Sequence, residues 1–398
     1  MEIWLWEIAK AIGRLFLNPL VYWFFMITAL ASAARIKQER RSFGHKIFPM
    51  MDEMYGHRLR GFLYGVLLSV IAIFLTVMLH PLMLLGIIFY SVLFSISKRF
   101  SWLSSAYTFG FTSITLLFYP YFQAYLPAPL QLELTTLQWV SFTTLMGLLL
   151  LIEASMLRTL KVDQTFPEIF RGARGKMLGQ HRIKRISLIP LVLIWPVGQL
   201  DFAADWWPIL NFGETSYGFV LFPLIIGFEQ VVKGALPTHM SKRFSQFLFI
   251  LGLVVVAVAL SGFYFGVFTL VSVIIALAGR EWLSYRLRTQ DQRQPALFNP
   301  SEQGIKVLAV TPGSPAIDMD LRVGETIVKV NGIDIVKRDD FYRALQTNRA
   351  FCKLEVLDER GELRFVQRAL YQNEHHELGI IFAIDHQEQL NEQTSDIS

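Results

Sequence analysis

The sequence predicts a polytopic α-helical membrane domain followed by a small mixed α+β domain in the cytoplasm. Of the 398 residues, 53% are hydrophobic and only 17% are charged, whereas soluble domains contain about 25% charged residues. Several apolar segments approach the ~20 residues that a helix needs to cross a bilayer. After Gly279 the long apolar runs stop, and short alternating segments separated by turn residues follow. These observations exclude a single soluble domain and extensive disorder.

Nine apolar segments are predicted to span the bilayer. The run from Phe244 to Gly279 is too long for one crossing at about 1.5 Å of rise per residue, so we divide it at Gly262. Ser187–Leu200 is the shortest segment and contains two prolines, so a re-entrant segment is an alternative there. The predicted spans are Leu15–Ala34, Gly61–Leu79, Leu82–Ser97, Trp102–Phe122, Leu137–Leu157, Ser187–Leu200, Tyr217–Val232, Phe244–Ser261 and Gly262–Gly279.

The net charge of +5 is divided unevenly along the chain. Residues 1–282 carry a net charge of +9 and residues 283–398 carry −4. The Lys and Arg residues between the predicted spans all lie on one set of alternate loops, and the opposite loops contain only acidic charges. This segregation is the positive-inside pattern. It predicts that the basic loops and the C-terminal domain face the cytoplasm, and it explains the basic surplus without nucleic acid as a partner.

The N-terminus allows more than one interpretation. An N-terminus outside the cell gives nine spans. If Met1–Arg14 lies on the cytoplasmic surface and Asn18-Pro19 breaks a hairpin, eight spans remain. The segment Ala31-Ser32-Ala33 also resembles a signal-peptide cleavage site. Arg35 and Lys37 follow it directly, however, and favour a cytoplasmic position for that flank.

Composition divides the chain into four parts. Residues 1–282 are predicted to form the membrane domain with eight or nine helices, and residues 283–295 a polar tether. Residues 296–386 are predicted to form the soluble domain, and residues 387–398 a polar tail. The single cysteine, Cys352, excludes an intrachain disulfide framework and a thiolate metal cluster. No cofactor or metal site is predicted.

The soluble part contains an ordered series of strands and turns. Gly304–Val310 alternates as a strand does, and Thr311–Ala316 follows as a Pro-Gly turn. A helical turn at Ala316–Leu321 precedes a second strand and the tight turn Asn331-Gly332. We expect a helix over Asp339–Gln346, with Asp339 as its N-terminal cap. Two further strands, Lys353–Leu357 and Leu363–Ala369, should form a hairpin, and Gly379–Ile384 reads as a last strand.

This order of elements resembles a bacterial PDZ domain. The strand, the Pro-Gly-Ser-Pro-Ala turn, Leu321-Arg322-Val323-Gly324-Glu325 and Val330-Asn331-Gly332 carry the resemblance. PDZ domains bind an extended peptide at a sheet edge beside a helix. The resemblance implies that the candidate peptide-binding groove contains Leu378, Gly379, Ile380, Ile381 and Phe382. That segment has one glycine where the family pattern has two, and a plain core strand is the alternative interpretation.

Membrane proteins with PDZ domains are often proteases, and a protease requires a catalytic motif. None of the eight histidines forms the His-Glu-x-x-His pattern of a zinc protease. Carboxylates within apolar segments can indicate transport. Glu153 and Glu229 both lie toward the cytoplasmic ends of their predicted spans, and we expect them to pair near Arg158 and Lys233. The sequence therefore predicts no enzyme.

The whole chain resembles the MinJ family of cell-division topological determinants. Besides the architecture, Asn18-Pro19, Tyr22-Trp23-Phe24 and the basic run Arg35–Arg41 carry the resemblance. The resemblance implies a membrane scaffold that bridges a DivIVA-like polar and septal protein to a MinD-like ATPase of the MinC/MinD inhibitor of FtsZ ring assembly. It also implies enrichment at septa and poles. Other division proteins and self-association remain open as partners, besides the lipid bilayer.

Two other classes of function remain open on the sequence. A PDZ-bearing membrane regulator or substrate adaptor of a protease would use the same soluble domain. A transporter with a regulatory PDZ domain would use the membrane half, and Glu153 and Glu229 would then be essential for flux.

Overall fold

The computed structural model describes residues 2–54, 58–75, 77, 79–125, 134–172, 175–200, 217–299, 303–348, 351–369 and 378–383. The predicted tail at 387–398 and the outer loop Asp201–Ser216 lie outside the described residues. Four of the described helices are long and apolar enough to cross a membrane, and two shorter apolar helices accompany them. A helical N-terminal region followed by a β-rich C-terminal region confirms the predicted fold class.

The N-terminal region is mainly helical. Asn18 separates the first two helices, and its side chain accepts a hydrogen bond from the N–H of Leu20. Pro19 takes the first helical position, where a missing N–H costs nothing. The helices are α1 (Glu2–Leu17), α2 (Pro19–Phe43), α3 (Arg58–Phe74), α4 (Pro81–Ile96), α5 (Ser105–Leu117), α6 (Tyr119–Phe122), α7 (Thr136–Arg158), α8 (Pro237–Ser261) and α9 (Val267–Arg293).

The predicted helical spans at Ser187–Leu200 and Tyr217–Val232 are wrong. These residues belong to β2 (Met177–Leu200) and β3 (Tyr217–Val232), which form an antiparallel sheet in the order β1-β2-β3 with β1 (Phe166–Arg171). Hydrophobicity alone does not separate a buried strand from a buried helix. The prolines of these segments each remove a helical hydrogen bond. Two of the predicted eight or nine membrane helices are therefore strands.

A helix covers the edge of β2 that β3 leaves free. Gly61 and Gly65 of α3 have no side chain, and a Cβ at Gly65 would lie 2.5 Å from the carbonyl oxygen of Pro190. The Ser69 hydroxyl accepts a hydrogen bond of 2.9 Å from the N–H of Val192. An open strand edge in an apolar environment leaves backbone groups without partners. The small residues of α3 therefore allow the hairpin to be enclosed.

The predicted partners of the two carboxylates in apolar segments are wrong. Glu153 lies 3.0 Å from the Arg280 guanidinium, and both side chains are buried. Glu229 lies 2.7 Å from Arg182 and 3.7 Å from Lys184. In each case the partner comes from another element far along the chain, which spacing along one helix does not show.

The predicted tether at residues 283–295 is also wrong over most of its length, because α9 continues to Arg293. Leu283 and Leu287 are buried one helical turn apart. The Asp291 carboxylate accepts hydrogen bonds from the N–H groups of Lys233 (3.0 Å) and Gly234 (2.9 Å). These contacts fix the end of the helix against the loop that follows β3.

The C-terminal region is a sheet with two short helices. The strands are β4 (Ile305–Val310), β5 (Thr326–Val330), β6 (Ile333–Asp334), β7 (Phe351–Leu357), β8 (Leu363–Ala369) and β9 (Ile380–Phe382), and the helices are α10 (Pro315–Asp318) and α11 (Arg338–Gln346). The sheet order is β8-β7-β5-β4-β9, with β6 beside β5. Asn331 and Gly332 both have positive φ, as the predicted tight turn requires.

The C-terminal region packs against β2 and the loop that follows β3 in the helical region. The N–H of Gly179 in β2 donates to the carbonyl of Phe298 (3.0 Å), and the N–H of Leu297 donates to the carbonyl of Lys233 (2.7 Å). A separate apolar cluster fills the interface. Its buried members are Ile47, Phe48, Phe166, Leu236, Phe298, Leu308, Ala309 and Ile381.

Candidate peptide-binding site

The strand β9 forms one edge of the C-terminal sheet. It pairs with β4 in antiparallel register, from Val307 opposite Phe382 to Val310 opposite Ile380. Within the part of the chain that the structure describes, no strand pairs with its other edge. The helix α11 lies beside this strand, with the Phe341 ring 5.2 Å from the Phe382 ring. A strand edge next to a helix is the arrangement that peptide addition to a sheet requires.

The loop before β9 is held tightly on the Pro-Gly-Ser-Pro turn. The carbonyl of Gly379 accepts a hydrogen bond of 2.8 Å from the N–H of Thr311, and the carbonyl of Leu378 accepts one of 3.1 Å from the N–H of Ala316. Gly379 has φ +75°, and a Cβ there would collide with Ser314. Glycine is required because this close approach and the positive φ both exclude a side chain.

The five predicted groove residues form one continuous segment, and each of their side chains except that of Gly379 is buried. Leu378, Ile380 and Phe382 belong to the core of the C-terminal domain. Ile381 faces the opposite side of the sheet and belongs to the interdomain cluster. A bound segment at this edge would therefore meet the backbone of β9 and the surface of α11, because the β9 side chains are already packed on both faces.

The helix α11 begins as predicted within one residue, but the predicted cap is wrong. The Asp340 carboxylate accepts a hydrogen bond of 3.0 Å from the N–H of Lys337, and Asp339 lies exposed within the first turn. The cap moves because the helix starts at Arg338, which places Asp340 at the third helical position. Buried Phe341, Ala344 and Leu345 attach this helix to the sheet.

The turn residue Asn331 also positions α11. Its side-chain nitrogen donates to the carbonyl of Ala344 (3.0 Å), and its side-chain oxygen accepts from the N–H of Lys353 (3.0 Å). One side chain therefore ties the helix to β7 as well as forming the turn. Sequence reasoning assigned Asn331 to the turn alone, since its amide contacts depend on the tertiary structure.

Sequence reasoning missed the interdomain contact of His181. This residue lies in β2 of the helical region and is buried. Its ring packs 5.1 Å from the Phe298 ring, and its Nε2 atom lies 2.8 Å from the carbonyl oxygen of Leu308 in β4. A single histidine in a basic segment carries no sequence pattern that predicts such a contact.

The fold and the site together define a PDZ-bearing protein with apolar helices of membrane-spanning length. The family model of the PDZ domain matches residues 306–357. The chain is 35% identical over 97% of its length to the cell division topological determinant MinJ of Bacillus subtilis (strain 168), and the match covers 97% of that protein. It is 24% identical to the probable cell division topological determinant MinJ of Lacticaseibacillus paracasei, over 92% of this chain and 96% of that one. The chain belongs to the MinJ family, which confirms the resemblance stated from the sequence.

Proposed function

We propose that the protein is a membrane-anchored, non-enzymatic scaffold for division-site placement. The end-to-end match to proteins named cell division topological determinants is the observation that carries this proposal. In this proposal the scaffold links a DivIVA-like protein of poles and septa to a MinD-like ATPase of the MinC/MinD inhibitor. The apolar helices confine the chain to the membrane, and the PDZ domain faces the cytoplasm.

The proposed mechanism is capture without chemistry. A cytoplasmic partner adds an extended segment to the β9 edge beside α11, so that backbone hydrogen bonds supply affinity and the surface of α11 supplies selectivity. Confinement to the membrane raises the effective concentration of weak contacts with partners that are themselves membrane-bound. A scaffold of this kind needs no catalytic group.

A fluorescent fusion of the full chain tests the proposal. We expect fluorescence at septa and poles, loss of that pattern when the DivIVA-like protein is removed, and filaments or minicells when this chain is deleted. A MinD-like protein should leave the poles and septa in the deletion strain. Uniform membrane fluorescence together with normal division would contradict the proposal.

A further inference from the structure

A cavity of about 290 Å³ lies between α2, the loop that follows α4, and the three-stranded sheet. It is separate from the β9 edge and from the interdomain cluster, apart from Phe166 at its inner wall. Its walls combine small and polar residues of α2 with basic residues of the loop and the sheet. Those that matter here are Ala34, Gln38, Lys98, Arg99, Arg182 and Lys184.

The charges that line the cavity do not balance. Five cations line it (Arg35, Lys98, Arg99, Arg182 and Lys184), against the three carboxylates Glu39, Glu168 and Glu229. The buried Glu53 carboxylate behind the wall also lies 2.9 Å from Arg35, which leaves a net charge of +1. Most of these cations form ion pairs with carboxylates of the protein itself. Arg35 lies 2.5 Å from Glu39, and Arg182 lies between Glu168 (2.5 Å) and Glu229 (2.7 Å). The surplus is therefore carried by the remaining loop residues.

Lys98 and Arg99 are the two cations without an internal counter-charge. Both are exposed, and among the described residues no carboxylate lies within ion-pair distance of either side chain. The loop that carries them is fixed to the floor of the cavity, because the Lys184 ammonium donates a 2.7 Å hydrogen bond to the carbonyl of Lys98. Lys98 also has a positive φ of 56°. Two cations are thus held at the rim of the cavity, and no carboxylate of the described residues forms an ion pair with them.

The position of the cavity indicates what kind of anion fits. On α2, Met26, Leu30, Ala34 and Gln38 are exposed at successive helical turns, so one stripe changes from apolar to polar at the cavity wall. On the other side, α4 ends at the exposed residue Ile96, directly before the basic loop. In both helices the apolar segment ends at the level of the cavity. Acyl chains can therefore lie along the apolar stripes while a charged group occupies the cavity.

We propose that this cavity binds the headgroup of an anionic phospholipid, with its phosphate at Lys98 and Arg99. Basic pockets between membrane helices on the cytoplasmic side suit such headgroups. A soluble phosphate would satisfy the two cations but would make no contact with the adjoining apolar stripe. The amphiphilic surroundings favour the lipid.

The test compares lipids and variants on the purified full chain in nanodiscs. Phosphatidylglycerol should raise the temperature of thermal unfolding relative to phosphatidylcholine, and native mass spectrometry should detect bound phosphatidylglycerol. The Lys98→Asn/Arg99→Gln variant removes both charges, and asparagine tolerates the positive φ at position 98. We expect it to weaken retention of phosphatidylglycerol about 25-fold, since each cation near an anionic surface contributes about fivefold.

The matched control is Lys242→Gln/Arg243→Gln, which removes two exposed charges from the start of α8, away from the cavity. This variant should retain phosphatidylglycerol like the unchanged protein. Equal loss in both variants would mean that only general electrostatic attraction acts, and would overturn the proposal. Equal stabilisation by soluble glycerol phosphate in phosphatidylcholine nanodiscs would also overturn it, because the anion would then not need to be a lipid. Unfolding in phosphatidylcholine monitors the fold of each variant.

Discussion

The Nε2 atom of His181 lies 2.8 Å from the carbonyl oxygen of Leu308, and this contact joins the helical region to the PDZ domain. A carbonyl oxygen only accepts, so Nε2 carries the proton. In the neutral ring, Nδ1 is then the unprotonated nitrogen, and it lies 2.8 Å from the Thr165 hydroxyl, which is also 2.7 Å from the Val162 carbonyl oxygen. Burial lowers the pKa of His181 to about 4. The two halves are thus joined through a neutral, buried imidazole.

Acidification should weaken the docking of the PDZ domain. The pKa of His181 is about 4 when docked, against an ordinary value of 6.5, so the undocked form binds the proton more tightly. The stabilising contribution is complete above about pH 6.5 and is lost as the pH falls toward 4, by on the order of 3 kcal/mol. Spin labels on cysteines introduced at exposed Lys161 and Arg343 would report the separation of the two halves.

The His181→Gln variant is the control for this pH dependence. Its amide can still donate to Leu308, but it does not titrate, so docking should stay constant between about pH 4 and pH 6.5. An unchanged pH response in this variant would assign the effect to another group.

Replacing Gly379 should abolish partner capture at the β9 edge. Gly379→Ala meets both a positive φ and a collision with Ser314, whereas Gly361→Ala has a similar φ of 79° and nothing within 4 Å. We expect Gly361→Ala to cost about 1 kcal/mol of PDZ stability and to keep capture. Gly379→Ala should cost about 2 kcal/mol more and lose it. Co-purification of the DivIVA-like and MinD-like proteins measures capture, and equal capture by both variants would show that the β9 edge is unused.

The thiol of Cys352 should report opening of the PDZ domain. Cys352 is fully buried in β7, and burial raises the pKa of its thiol to about 12. Since the thiolate is the reactive species, alkylation of the native chain should be slow at neutral pH. In the Gly379→Ala variant, alkylation should accelerate in proportion to the increase in the fraction of molecules with an opened PDZ domain. Rapid alkylation of the unchanged protein would show that the packing of β7 is not as described.

Breaking the buried Arg280–Glu153 pair should destabilise the helical region strongly. The two side chains lie 3.0 Å apart and each is 2% exposed. Glu153→Gln or Arg280→Met leaves one charge buried without its partner, which costs about 3–5 kcal/mol. The double variant Glu153→Leu/Arg280→Met should lose less than the sum of the two single variants. Thermal unfolding of the chain in detergent measures this, and strictly additive losses would show that the pair is not coupled.

A side chain at Gly65 should disrupt the covered edge of the hairpin. In Gly65→Ala the new methyl group would lie 2.5 Å from the carbonyl oxygen of Pro190, so α3 must move away from β2. We expect a loss of about 1–3 kcal/mol. Gly13→Ala in α1 has nothing within 4 Å and should be neutral or stabilising by up to about 1 kcal/mol. Equal unfolding temperatures for the two variants would mean that α3 does not cover the strand.

The PDZ domain was largely predictable because its elements depend on local sequence. Pro312 and Gly313 form their turn, Asn331 and Gly332 adopt positive φ, and the strands lie close to their predicted bounds. The membrane half was predicted in class but not in detail. An apolar run such as Tyr217–Val232 can be buried either as a strand or as a helix. Pairing with β2 decides that it forms a strand.

Apolar helices of membrane-spanning length joined to a PDZ domain follow from the amino-acid sequence alone, because hydrophobic length and turn residues act locally. The pairing of buried charges and the contact between the two halves depend on the tertiary structure. Arg280 reaches Glu153 across 127 positions, and His181 reaches Leu308 across the same number. Such contacts form because a buried polar group must find a partner wherever packing brings one, and no spacing along the chain records that choice.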